Sequence, residues 1–151
     1  MSDSAFILTE EPTSGETLVC EIINTCISVR KSFSIYEYYE GINFPSLIIN
    51  DVNYNPDEDE YLILYFNDKS KIKKHDFIRE GNQKLWKSIN LVFDDSKCLL
   101  TFCFYYLQQN NNRKVSNVFD TVFSLHELQK FERVEDYYEW AYQRPDNNLK
   151  F

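Results

Sequence analysis

Two capping boxes bracket this chain and constrain everything between them. A Ser or Thr followed three residues later by Glu lets each residue satisfy one backbone N–H that a helix start leaves orphaned. Thr13-Ser14-Gly15-Glu16 has that form, and so do Ser124 and Glu127. After the first, Leu18, Val19, Ile22, Ile23, Cys26 and Ile27 recur in pairs every four residues, which draws one apolar stripe down one face of a helix. After the second, Leu128, Phe131, Val134, Tyr138 and Tyr142 form a stripe widened by Tyr137, Trp140 and Ala141. The spacing predicts a helix over 125–143, stapled by Phe123 against Leu128 and stopped before Pro145.

Strand signals fill the interval. Phe33 to Tyr39 is aromatic and β-branched, Leu47 to Ile49 is a shorter run, and Tyr61 to Phe66 is unbroken and apolar, as in a strand buried on both faces. Trp86 to Phe93 and Cys98 to Leu107 flank the polar Asp94-Asp95-Ser96-Lys97, which predicts an antiparallel hairpin. Residues 1–12 carry no period and read as a lead-in, with an extended edge segment around Phe6 to Leu8. Asn67 to Gly81 reads as a basic connection with a short helix near Asp76 to Glu80, and Gln108 to Asn117 as a solvated, mobile polar tract. The expected fold is α+β: one domain over 1–151, an antiparallel sheet of about five strands, and an N-terminal and a C-terminal helix packed on one face. With 17% aromatic residues there is enough large apolar surface to offset the entropy of ordering such a domain.

Chemistry is harder to find. Phosphate-binding loops need glycines so that backbone can approach the ligand, and the three glycines here, at 15, 41 and 81, are far apart. His126 falls inside a capping box, and His75 lies among Lys71, Lys73 and Lys74, so neither is placed as the base of a nucleophilic triad or as a zinc ligand. Cys20, Cys26, Cys98 and Cys103 include no C-x-x-C pair. The first two sit six apart, off one helical face, and the last two have opposite parity on the expected strand; a reducing compartment suits them. Asp57 to Glu60 lacks the alternating ligands and central glycine of a calcium loop. The reading is therefore of a protein that is not an enzyme and takes no cofactor or metal.

Charge points elsewhere. A formal charge of −8 repels a phosphate backbone and draws basic proteins, although it also suits simple solubility. Asp51, Tyr54, Asp57, Glu58, Asp59 and Glu60 are close in sequence with no basic residue among them, an acidic patch with an aromatic anchor suited to a cationic cleft. The alternative is a solvated charge run beside a strand. Glu132, Glu135, Asp136 and Glu139 fit the wet face of the last helix. The basic run Lys69 to Lys74 lacks the interleaved aromatics of a nucleic-acid surface. The short apolar stretch Ala5 to Leu8 is not the core of a signal peptide and no run reaches membrane-span length, so a cytoplasmic location, without membrane or direct nucleic-acid contact, is expected.

Leu85-Trp86-Lys87-Ser88-Ile89-Asn90-Leu91-Val92-Phe93, then a polar turn and Leu99-Leu100-Thr101-Phe102-Cys103-Phe104-Tyr105-Tyr106, resembles the YezG-type immunity proteins. Tyr137-Tyr138-Glu139-Trp140-Ala141-Tyr142 stands where that family has a Tyr-rich terminal helix, and Glu16 to Arg30 where it has its opening helix. The resemblance covers about half the chain. It departs at the turn, where Asp94-Asp95-Ser96-Lys97 replaces a glycine-containing one, and mid-chain, where a basic connection replaces a long acidic helix. It implies a bacterial immunity protein, of the contact-dependent growth inhibition kind, whose partner is a cognate toxin domain, often a nuclease. Competing expectations are a ligand-binding domain or small enzyme with an aromatic-lined pocket holding Glu37 or Glu40, and a DNA-mimic inhibitor.

Overall fold

The computed structural model describes residues 3–28, 33–40, 45–51, 61–66, 77–93, 96–131 and 140–142. Eight strands form one antiparallel sheet: β1 (Asp3–Thr9), β2 (Phe33–Glu40), β3 (Pro45–Asp51), β4 (Tyr61–Phe66), β5 (Phe77–Glu80), β6 (Gln83–Phe93), β7 (Lys114–Ser116) and β8 (Val122–Phe123). The spatial order is β2-β3-β4-β6-β1-β7-β8, with β5 paired to β6. Helices α1 (Gly15–Ser28) and α2 (Ser96–Gln109) and the single turn α3 (Leu125–Leu128) complete the described elements, and 140–142 are helical. The α+β class holds, with more strands than the five expected.

Alternation along the strands puts one apolar face toward the helices. Leu47, Leu64, Leu91 and Ala5 are cross-strand partners in one row, and Phe66, Ile89, Ile7, Val115 and Phe123 in another. All are buried in one cluster with Leu18, Ile22 and Cys26 of α1 and Leu99, Phe102, Cys103, Tyr106 and Leu107 of α2. β4 is accordingly not buried on both faces: Leu62, Leu64 and Phe66 are buried, whereas Tyr65 on the other face is 38% exposed.

The largest departure from the sequence reading is α2. Residues 98–107 form no hairpin strand but the middle of a helix, because their most deeply buried residues, 99, 102, 103, 106 and 107, follow the i, i+3, i+4 rhythm of one helical face. Their aromatic content mimics a strand, and a hydrophobic face required by the core overrides that propensity. Cys98 and Cys103 are both buried on this helix rather than on opposite sides of a strand, and Cys20 is exposed where Cys26 is buried.

Residues 3–9 are no edge lead-in: β1 lies between β6 and β7, with Ala5, Ile7, Leu8 and Thr9 buried. A bulge between Ile7 and Leu8, opposite Lys87 to Ile89, is stitched by a 2.7 Å hydrogen bond between Thr9 Oγ1 and Ser88 Oγ. Residues 77–80 form a strand, not a helix, since the Gly81-Asn82 turn folds them onto β6. Gly81 has φ +62, which fits the first central position of a type II′ turn. Most of the supposed mobile tract 108–117 is ordered structure, with the end of α2, a turn and β7. Asn117 is buried and organises the β7–β8 turn: its Oδ1 accepts from Phe119 N (2.9 Å) and Thr121 N (3.1 Å), and its Nδ2 donates to Trp140 O (2.9 Å).

Both helix starts carry caps. At α1 the cap is one residue later than Thr13: Ser14 Oγ accepts from Thr17 N at 3.3 Å, while Thr13 Oγ1 donates to Glu11 O. Ile27, assigned to the apolar stripe of α1, is 64% exposed at the helix end. At α3 the box is complete, with Ser124 Oγ accepting from Glu127 N and Glu127 Oε1 accepting from Ser124 N. Phe123 and Leu128 are both buried, as a staple requires. The single helix expected over 125–143 is not continuous: α3 stops at Leu128 with Gln129 as its C-cap, 129–131 are not helical and 140–142 are, while 132–139 lie outside the described residues.

Candidate functional site

The antiparallel registers bring particular strand ends together. Asp3 pairs with Phe93, Leu62 with Phe93, Asn50 with Tyr61 and Phe33 with Asp51, so β1 begins, β3 stops, β4 begins and β6 stops at one end of the sheet. Asp51 is the last residue of β3 at that end. Tyr54, Asp57, Glu58, Asp59 and Glu60 lie outside the described residues, as do Asp94 and Asp95. β3, which ends at Asp51, and β4, which begins at Tyr61, are direct neighbours. Glu37 and Glu40 sit on β2, the outermost strand on that side. Lys69 to Lys74, His75, Glu132, Glu135, Asp136 and Glu139 lie outside the described residues; His126 is exposed on α3.

The opposite end of β6 carries a different chemistry. In the β5–β6 hairpin Phe77 pairs with Trp86 and Arg79 with Lys84, so these four share one face. Phe77 and Trp86 meet edge-on, their ring centroids 5.4 Å apart. Lys84 Nζ lies 4.8 Å and the Arg79 guanidinium carbon 5.6 Å from the Phe77 centroid, so one ring holds two exposed cations. The other face of the hairpin is closed over the sheet: Leu85 is buried, and Glu80 forms an ion pair with Lys114 of β7. Sequence reasoning counted Arg79 among the basic connection and missed the set. The signal was present as alternation, Phe77-x-Arg79 facing Lys84-x-Trp86 across Gly81-Asn82.

A third cluster joins the helices. Glu21 of α1 takes Arg113 in a two-pronged contact, Nε to Oε1 at 3.2 Å and Nη2 to Oε2 at 2.7 Å, and accepts from Tyr106 Oη of α2 at 2.6 Å. Burial, and then the Glu21 charge, push the Tyr106 hydroxyl far above the ordinary tyrosine range, so it stays a proton donor. For Arg113, burial works against the charge but the Glu21 bonds and charge outweigh it, and its pKa is raised. Both carboxylate oxygens are engaged, which makes this cluster a clamp between α1, α2 and the turn before β7 rather than a reactive centre.

Among the described residues, no group of three or more His, Cys, Asp and Glu side chains comes together as a metal ion would need. No helix among them is long and apolar enough to cross a membrane. The chain matches no family model, and no curated protein or solved structure is significantly similar to it.

Proposed function

We propose that this chain is an immunity-type binding protein that neutralises a cognate toxin domain, a basic protein of the nuclease class, by covering it with the acidic surface of Asp51, Tyr54, Asp57, Glu58, Asp59 and Glu60. The observation that carries the reading is the convergence of strand ends. Asp3 begins β1 and Asp51 ends β3 at the same end of the sheet, where β4 also begins, at the residue after Glu60. Carboxylates gathered at one end of a sheet act on a cationic partner as one field, which accelerates encounter and fixes orientation. The net charge of −8 adds to that field at long range.

The test is calorimetric titration against the product of the reading frame next to this one. Changing Asp57, Glu58, Asp59 and Glu60 to Lys is expected to weaken binding by well over tenfold, about 1.4 kcal/mol or more. Raising salt from 0.05 to 0.5 M should erase much of the difference between the two proteins, because exposed charges are screened over about 8 Å at physiological ionic strength. Unchanged affinity in the reversed protein would rule out the acidic surface as the interface.

A further inference from the structure

From the β5–β6 hairpin we infer a second binding surface, one that takes an extended acidic segment of a partner protein as an added strand along β5. Among the described residues β5 pairs with β6 alone, and no described strand lies along its other edge. The two-residue turn settles which backbone groups face that edge. Glu80 and Gln83 close the turn as a hydrogen-bonded pair, and pairs alternate in an antiparallel ribbon. Ile78 then bonds to Leu85, and Phe77 and Arg79 direct their N–H and C=O groups outward, away from β6. These outward groups repeat every second residue, which is the spacing an incoming strand matches.

The side chains specify which strand. Successive residues of an added strand alternate between the two faces of the sheet. On one face its residues meet Arg79 and Lys84, both exposed and both held over Phe77. On the other they meet Ile78, with Glu80 already paired to Lys114. A segment alternating Glu or Asp with an apolar residue matches both faces at once. Single-stranded nucleic acid fits less well, since cations already lie over the Phe77 ring that a base would stack on, and a sugar-phosphate backbone cannot complete a β-ladder. The surface stands apart from the acidic one proposed above: it lies at the other end of β6 and carries the opposite charge.

Charged residues on a short edge strand also serve to discourage pairing, and the experiment separates the two roles. A labelled peptide of alternating Glu and Val is titrated into the full chain and followed by fluorescence anisotropy, with the Lys/Val peptide and an oligothymidylate as comparisons. The expected result is saturable binding of the Glu/Val peptide only, weakened about tenfold or more by Arg79→Glu with Lys84→Glu and retained in Arg79→Lys with Lys84→Arg. Amide hydrogen exchange at Phe77 and Arg79 slows in the complex, a readout that charge attraction alone does not move. Should the double Glu variant fail to fold by circular dichroism, Arg79→Gln with Lys84→Gln takes its place. No preference over the Lys/Val peptide, preference for the oligonucleotide, or binding without slowed exchange at those two amides each overturns the proposal.

Discussion

Replacing Glu21 with Ala should be among the most damaging single changes in the described part of the molecule. The carboxylate accepts from Tyr106 Oη at 2.6 Å and from Arg113 at 2.7 and 3.2 Å, and these contacts tie α1 to α2 and to the turn before β7. The Arg113 and Glu21 side chains are 12% and 17% exposed, so the cation left behind has little water to turn to. Removing one partner of a fully buried pair costs about 3–5 kcal/mol, and the residual exposure lowers that. The orphaned Tyr106 hydroxyl adds about 1 kcal/mol, and the better helix propensity of Ala returns a few tenths. The net expectation is a loss of about 2–4 kcal/mol. With a urea m-value of about 2 kcal/mol/M, the unfolding midpoint read by tryptophan fluorescence falls by about 1–2 M with an unchanged slope. The paired change Glu21→Leu with Arg113→Met removes the stranded charge together with its partner and should recover much of the loss. A midpoint shift below about 0.3 M for Glu21→Ala, or a double variant as unstable as the sum of its singles, would refute the clamp.

Three further outcomes follow from burial. Cys20 alone of the four thiols is exposed, so a thiol reagent should modify one equivalent quickly in the native protein and the rest only on unfolding, as peptide mapping after brief labelling will show. Burial pushes the Cys26 thiol up from its ordinary 9.0 to about 11, and burial raises Cys103 further, with Cys98 adding to it. Folding therefore favours the protonated thiols: their stabilisation is complete below pH 9 and is lost as pH climbs toward and past 11, so thermal unfolding should shift to lower temperature over that interval, less steeply in Cys26→Ala. Asn117→Ala removes the donor to the buried Trp140 carbonyl and the acceptor of the Phe119 and Thr121 N–H groups in a half-buried turn, at a cost of about 1–3 kcal/mol, visible as a fall of about 3–10 °C in Tm by calorimetry.

What the sequence discloses here is local, and what it conceals is either long-range or ambiguous in period. The cap at Ser124, β2, β3, β4 and most of β6 are legible because turn residues, branched side chains and capping pairs act within a few residues of themselves. α2 is ambiguous: Leu99 to Leu107 has strand-like residue types on a helical rhythm, and only Leu99, Phe102, Cys103, Tyr106 and Leu107 taken together show the rhythm. β1 shows no alternation across its apolar run Ala5 to Leu8, and its place inside the sheet comes from partners far along the chain, β6 and β7. The Glu21 clamp is invisible for the same reason, since its members are separated by 85 and 92 positions. Of the acidic surface, the described residues reach only as far as Asp51.

The two proposed surfaces start from opposite ends of β6, and that separation bears on how they would act. Its 11 residues, at about 3.3 Å each, put the Gly81-Asn82 turn roughly 36 Å from Phe93. This is several times the screening length of about 8 Å at physiological salt, so exposed charges at one end contribute almost nothing to the local field at the other. An acidic chain can therefore keep a cationic face without neutralising its acidic end, provided that face is held away from it. β6 does this by pairing with β5 at its start and with β4 and β1 toward its end, and the bulge at Ser88 falls between the two regions. The two interfaces should then be energetically independent. Charge reversal at Asp57–Glu60 would leave acidic-peptide binding at the hairpin unchanged, and Arg79→Glu with Lys84→Glu would leave binding at the proposed acidic interface unchanged, to within the few tenths of a kcal/mol typical of distant sites.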